Sequence, residues 1–133
     1  MRIAEVSEKY NISADTLRYY ERVGLLPPVN RTDSGIRDFD EGDIQRVEFI
    51  KCMRSAGLPI EVLTEYIQLV QMGDSTIEQR KQILEDERQK LLGRMAEMQK
   101  TLERLNYKIS IYETEMLQKE QQISETEVEE MLF

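Results

Sequence analysis

Apolar residues near the start of the chain recur at helical spacing and predict a first helix: Ile3, Val6 and Tyr10. The polar break 11–13 follows, and Ser13 is a suitable N-cap for a second helix from Ala14 to about Val23. Gly24 ends this second helix. Two short helices separated by three residues are typical of a helix-turn-helix unit, which we predict over about 3–22.

The stretch 29–39 follows Pro28 and contains the turn tripeptide Asp33-Ser34-Gly35. This pattern predicts two short strands around that turn, which would form a small β-hairpin. A hairpin that directly follows a helix-turn-helix is typical of a wing.

Two further helices complete the first part of the chain. Asp40 is an N-cap for a third helix to about Ala56. Pro59 occupies the predicted first position of a fourth helix, where its missing N–H costs nothing. Gly73 ends the fourth helix, so we predict one domain over 1–72.

A long helix is predicted over 75–117, and the sequence at 75–78 has the pattern of a capping box. Its seam consists of two interleaved sets at seven-residue spacing: Ile77, Leu84, Leu91, Met98, Leu105 and Tyr112 in the first, and Lys81, Arg88, Met95, Leu102, Ile109 and Met116 in the second. The seam is polar at the first two positions of the second set and apolar from Leu91 onward. So small a chain offers nothing to cover such a seam. An antiparallel coiled coil with a second copy is therefore the simplest fold for this helix. The predicted class is mainly α, a winged helix-turn-helix followed by a dimerisation helix and an acidic tail over 118–133.

Composition narrows the possible chemistry. The 133 residues include one cysteine and no histidine, which excludes an intrachain disulfide and argues against a tetrahedral zinc site or an imidazole-based catalytic triad. We therefore expect neither an enzyme nor a cofactor. No run of about 20 apolar residues is present, so we expect no membrane partner and a cytoplasmic location.

The second helix carries a polar face that suits a DNA major groove: Thr16, Arg18, Tyr19 and Arg22. Arg31 and Arg37 flank the predicted turn of the wing, where they would meet phosphate. The net charge of −8 counts against DNA binding, but residues 1–58 contribute only −1 and residues 59–133 contribute −7. The alternative is an ordinary surface helix with local charge pairs, such as Arg18 with Glu21.

The first part of the chain resembles the MerR family of bacterial transcription regulators in the segment ISADTLRYYERVGLLPPVNRTDSGIRDFDEGDIQRVEFIKCMRSAGLPIEVL. This resemblance implies a homodimer that binds an inverted-repeat operator in double-stranded DNA and deforms it so that RNA polymerase can engage the promoter. By the same resemblance, Arg18 and Tyr19 would be recognition-helix contacts, and Arg31 and Arg37 would be wing contacts. Backbone N–H groups near Pro59 and Ile60 would meet phosphate.

Cys52 is the remaining chemical clue. On sequence chemistry it is more simply a small buried apolar residue. The sequence is also similar to a branch of the family that has a single cysteine at this place and responds to aldehydes and other electrophiles. Cationic neighbours, Lys51 and Arg54, favour the reactive thiolate, and Glu48 opposes it. Residues 73–133 contain no cysteine, which argues against metal sensing by the family's usual route.

Three alternatives remain open at the level of sequence. A thiol enzyme would need a base near Cys52, and a coiled-coil scaffold would leave the wing without a purpose. A regulator that senses a non-covalent small molecule at the dimer interface would use the apolar region near Tyr66, Tyr107 and Tyr112, and Cys52 would then be structural.

Overall fold

The computed structural model describes residues 1–114, so the predicted acidic tail and the last residues of the predicted coiled coil lie outside the described residues. Within 1–114 the fold consists of helices and one 3₁₀ turn: α1 (Ile3–Tyr10), α2 (Ala14–Arg22), α3 (Glu41–Ser55), α4 (Ile60–Met72), the 3₁₀ turn Asp74–Thr76 and α5 (Ile77–Glu113). The mainly helical class predicted from the sequence is confirmed. Within this part of the chain, no helix is long and apolar enough to span a bilayer.

The helix-turn-helix forms as its local signals predict. Asn11 ends α1 in the left-handed region with φ of 53°, a conformation that asparagine adopts more readily than most residues. The Ser13 hydroxyl then accepts a hydrogen bond from the Thr16 N–H at 3.1 Å and begins α2. Leu17 and Tyr20 of α2 are buried, so the opposite face is left to solvent.

The third and fourth helices also begin where the sequence predicts, within one residue. Asp40 caps α3 by accepting from the Asp43 N–H at 2.8 Å, and Asp43 in turn accepts from the Asp40 N–H at 3.0 Å. Pro59 is the N-cap of α4 rather than its first residue, because the helix begins at Ile60.

The predicted pair of strands in the wing is reduced to a single antiparallel bridge between Arg31 and Arg37. Hydrogen bonds on either side, Asp38 N–H to Asn30 O and Thr32 N–H to Ile36 O, keep the hairpin shape. The segment is too short for the repeated ladder that defines a strand, so the β-hairpin prediction is correct in connectivity and wrong in extent.

The start of α5 differs from the predicted capping box. The Thr76 hydroxyl donates to the carbonyls of Leu69 and Gly73, at 2.6 and 2.8 Å, and Thr76 is buried. The chain therefore enters α5 through the 3₁₀ turn that Thr76 fixes against the end of α4. The seven-residue pattern correctly predicted the long helix itself, which has 37 residues and a length of roughly 55 Å at 1.5 Å per residue.

The chain divides into two compact units, Met1–Leu91 and a second that begins at Leu92. The core of the first unit contains fully buried side chains from each of the helices α1, α2, α3 and α4 and from the segment after α2: Val6, Leu17, Leu25, Leu26, Val47, Ile50 and Leu63. Val29 and Phe39, at the two ends of the wing, are buried against the same core. The second unit leaves much of its apolar surface in solvent. Met98, for example, is 70% exposed.

Candidate nucleic-acid interface

The exposed face of α2 presents cations beside an aromatic ring. Arg18 forms an ion pair with Asp15 at 2.8 Å, and its side chain is 47% exposed. The Arg22 guanidinium lies over the Tyr19 ring at 5.2 Å from the centroid, and Tyr19 is 38% exposed. Stacking of Arg22 on Tyr19 holds both groups on the same side of the helix as a planar, cationic surface.

Thr16 belongs both to this face and to the helix cap. Its hydroxyl oxygen accepts from the Ser13 hydroxyl at 2.8 Å, and its N–H donates to Ser13. The hydrogen of the Thr16 hydroxyl is then available for another acceptor, such as a phosphate oxygen.

The two wing arginines have different surroundings. Arg31 is exposed, and its guanidinium donates to the Gly35 carbonyl at 2.8 Å, across the turn. Arg37 forms an ion pair with Glu21 of α2 at 2.7 Å, and its side chain is only 21% exposed. Arg31 is therefore presented to solvent, whereas Arg37 mainly holds the wing to the helix.

Glu21 is a functional residue that the sequence analysis considered only as a partner of Arg18. One carboxylate oxygen accepts from the Arg37 Nε, and the other accepts from the Val29 N–H at 2.6 Å. Partial burial raises the pKa of Glu21, but the hydrogen bonds from Val29 and Arg37 outweigh it and hold the pKa below its ordinary value. The charged form of Glu21 thus connects α2 to both arms of the wing.

The predicted contacts on α4 lie beside those on α2. Tyr19 and Ile60 line the same open groove, together with Thr64 and Gln68. Pro59 has no side chain that could cap α4, so the first N–H groups of the helix are available to an anion. Glu61 and Glu65 also line this groove and oppose an anion there.

Cys52 lies on α3 and is exposed, so in this chain it is not the buried apolar residue that simple chemistry favours. The predicted neighbours are engaged elsewhere. Glu48 accepts from the Tyr10 hydroxyl at 2.7 Å, which raises the pKa of Tyr10, and Arg54 donates to the Leu58 carbonyl at 2.8 Å. Within residues 1–114, no group of three or more acidic, cysteine or histidine side chains is arranged to hold a metal ion.

Comparison of the sequence with models of protein families identifies the class of protein to which this chain belongs. The model of the MerR HTH family regulatory protein matches residues 1–70, and a second model, MerR, DNA binding, matches residues 44–107. The chain belongs to the MerR family of transcriptional regulators.

Individual relatives agree with this assignment. The regulator is 63% identical over 92 residues to the HTH-type transcriptional regulator AdhR of Bacillus subtilis, a match that covers 69% of this chain and 66% of AdhR. It is 42% identical to a MerR family regulator from Listeria monocytogenes of known structure, with a TM-score of 0.84 and 98% of each chain covered. It is 33% identical to HiNmlR, a MerR family regulator lacking the sensor domain and bound to promoter DNA, with a TM-score of 0.77 and coverage of 85% and 90%.

These relatives bear on two predictions made from the sequence. Each is a transcriptional regulator, in agreement with the prediction that the chain is not an enzyme. The match to AdhR fits the predicted resemblance to the single-cysteine branch of the family. The roles of the individual residues remain predictions.

Proposed function

We propose that the regulator is a cytoplasmic homodimer that binds an inverted-repeat operator in double-stranded DNA through α2, the wing and the start of α4. The observation that carries this proposal is the exposed surface of Arg18, Tyr19 and Arg22, beside a wing that Glu21 fixes to the same helix. Arginine pairs with guanine or clamps phosphate, and the tyrosine hydroxyl binds phosphate oxygens. The promoter complex of HiNmlR supports the same mode of binding.

Two DNA-binding units in one dimer suit activation by deformation of the promoter. Each unit would hold one half-site, and contacts to both would offset the cost of bending and untwisting the DNA between them. Bending a site of 20–30 base pairs costs on the order of 1–6 kcal/mol, which several arginine contacts can supply. RNA polymerase would then engage both promoter elements, so the dimer would act as an activator.

The signal is an aldehyde or another thiol-reactive electrophile, which adds to Cys52. Cys52 is the only cysteine in the chain and is exposed to solvent. With formaldehyde, the sulfur forms a bond to the carbonyl carbon, the carbon–oxygen π bond breaks, and the oxygen takes a proton to give a hydroxymethyl thioether. The added bulk lies near the end of α3, one loop before the N-terminus of α4, where it can bias the position of the DNA-binding unit.

A non-covalent effector at the dimer interface is the second candidate. Tyr107 and Tyr112 are exposed and could contact such a molecule. Tyr66, in contrast, already stacks on Phe49 with ring centroids 5.6 Å apart. In this case Cys52 would have only a structural role.

A reporter fused to the gene's own upstream region separates these two candidates. Induction by formaldehyde or methylglyoxal is compared in cells with wild-type protein, Cys52→Ser, or Ser55→Ala as an exposed control on the same helix. We expect the wild type and Ser55→Ala to respond and Cys52→Ser to lose induction at equal protein abundance. Unchanged induction in Cys52→Ser would contradict a thiol sensor and favour the non-covalent effector.

A further inference from the structure

The seam of α5 is exposed over most of its length in the single chain. Members of both interleaved sets are between 40% and 70% exposed: Leu84, Met95, Met98, Leu102, Leu105, Ile109 and Tyr112. Under the proposed function a second copy of the chain covers this seam. The inference below rests on that proposal and adds which residues of the two copies meet.

Two antiparallel registers that differ by one heptad both place apolar residues of the seam against each other. In the first register, Leu84 faces Ile109 of the partner subunit and Leu91 faces Leu102 of the partner subunit. In the second register, Leu84 faces Leu102 of the partner subunit and Leu91 faces Met95 of the partner subunit. Both registers bury similar apolar layers, so the seam does not choose between them.

The charged residues that flank the seam favour the first register over the second. A twofold axis perpendicular to the helices places each flank of α5 against the same flank of its partner. The flank that precedes the second set of seam residues carries, in order, Arg80, Glu87, Arg94, Thr101 and Lys108. The first register opposes Glu87 to Lys108 of the partner subunit and Arg94 to Thr101 of the partner subunit. The second register instead opposes Arg80 to Lys108 of the partner subunit and brings the two copies of Arg94 together.

The opposite flank weakens this preference only slightly. It holds no pair of opposite charges in either register, and in the first register Glu78 meets Glu113 of the partner subunit. These two residues lie in the first and last turns of α5, where helices fray and solvent screens charge. The like-charged arginines of the second register lie at the middle of the helix, away from its fraying ends.

Glu87 provides an independent reason to expect a donor from outside its own chain. It is only 4% exposed, and one carboxylate oxygen contacts Lys90 Nζ at 3.2 Å. The other oxygen, Oε2, is buried and has no hydrogen-bond partner within residues 1–114. A buried carboxylate oxygen without a donor is costly, so a cation that reaches it stabilises whatever assembly supplies it.

The surroundings of Glu87 fit an insertion from the partner. Glu87 lines a largely apolar cavity of about 210 Å³, and Leu84, Arg88 and Leu91 of the seam line it with Met53 and Leu58. Glu87 Oε2 has no hydrogen bond to Arg88. A lysine enters such a site readily because its long aliphatic stem packs on apolar side chains. Lys108 already lies along the flank, with its Nζ 5.2 Å from the centroid of the Tyr112 ring.

We infer that the two copies of α5 pair in the first register, and that Lys108 of the partner subunit completes the buried carboxylate of Glu87. Two such pairs form in each dimer. Each one joins α5 of one copy to α5 of the other, beside Met53 of α3.

Two single substitutions with opposite expected signs test this register. Lys108→Glu places two carboxylates together and weakens the dimer about tenfold, whereas Thr101→Glu places a carboxylate beside Arg94 of the partner subunit and strengthens the dimer severalfold. In the second register both signs reverse, because Lys108 faces Arg80 of the partner subunit and Thr101 faces Glu87 of the partner subunit. Dimer dissociation constants from sedimentation equilibrium provide the readout.

Two further variants complete the experiment. Lys100→Glu makes the same charge change on the outer face of α5 and changes the dissociation constant less than about threefold. The double variant Glu87→Lys with Lys108→Glu restores an affinity close to that of the wild type. Reversed signs in an intact dimer overturn the register and leave the proposed dimer standing. A wild-type chain that stays monomeric at every concentration overturns both proposals.

Discussion

Glu21 accepts one hydrogen bond from each arm of the wing, although it belongs to the preceding helix. The sequence showed its charge but could not assign its partner. Arg18 is three residues away along the helix, and Arg37 is sixteen residues away. In the structure Arg18 pairs with Asp15, and Arg37 turns back to Glu21. Local spacing predicts helix pairs well, but a pair across a turn depends on where the wing folds.

Replacing Glu21 by Gln tests this connection. We expect a loss of about 1–3 kcal/mol in the free energy of unfolding at pH 7. The carboxylate of Glu21 accepts hydrogen bonds from two donors, whereas the glutamine amide accepts from only one and turns its own NH₂ group toward the other. The lowered pKa of Glu21 means that its charged form contributes stability above the ordinary carboxyl pKa of about 4.3. This contribution is lost as pH falls through the lowered value.

Urea denaturation over a series of pH values measures both effects. The difference between wild type and Glu21→Gln should be largest near neutral pH and shrink in acid. Glu8→Gln, at an exposed position on α1, serves as the control and should change stability little. A difference between wild type and Glu21→Gln that is independent of pH would contradict the role assigned to the charge.

At the scale of secondary-structure elements, the sequence predicted most accurately the features that depend on a few neighbouring residues. The caps at Ser13 and Asp40 form as predicted because each needs only an N–H two or three residues ahead. The capping box predicted for Ser75 and Glu78 does not form, because Ser75 lies within the 3₁₀ turn Asp74–Thr76. The Thr76 hydroxyl holds that turn against α4 by donating to the Leu69 carbonyl. That acceptor is provided by the packing of the preceding helix and is not visible in the local motif.

Two glycine-to-alanine substitutions test the backbone conformation, one in the turn of the wing and one in the long helix. Gly35 has φ of 84° and open space around its Cα, so Gly35→Ala should cost about 1–2 kcal/mol from backbone strain alone. Gly93 lies inside α5 in an ordinary helical conformation with nothing within 4 Å, so Gly93→Ala should stabilise by about 0.5–1 kcal/mol. Thermal unfolding at a fixed protein concentration checks both signs, and a stabilising Gly35→Ala would contradict the turn conformation.

At the scale of the whole molecule, charge distribution mattered more than total charge. A net charge of −8 argues against DNA binding, yet the chain belongs to a family of DNA-binding regulators. The arginines of α2 and the wing lie in a part of the sequence that is nearly neutral. Charges farther away than a Debye length of about 10 Å contribute little at moderate salt. The sequence also predicted the seam of α5, and the charges that flank the seam can be identified in the sequence. The burial of Glu87 and its carboxylate oxygen without a donor are visible only in the structure.

The central claim is that the exposed face of α2 reads the operator. Binding to the gene's own upstream DNA should be titrated for wild type, Arg18→Ala and Arg46→Ala, with sedimentation confirming the same oligomeric state. Arg46 is an arginine of similar exposure on α3, outside the proposed interface. We expect Arg18→Ala to lose roughly 10- to 100-fold in affinity, as a lost base or phosphate contact of about 1–3 kcal/mol implies, and Arg46→Ala to bind like wild type. Equal affinities for wild type and Arg18→Ala would contradict the account.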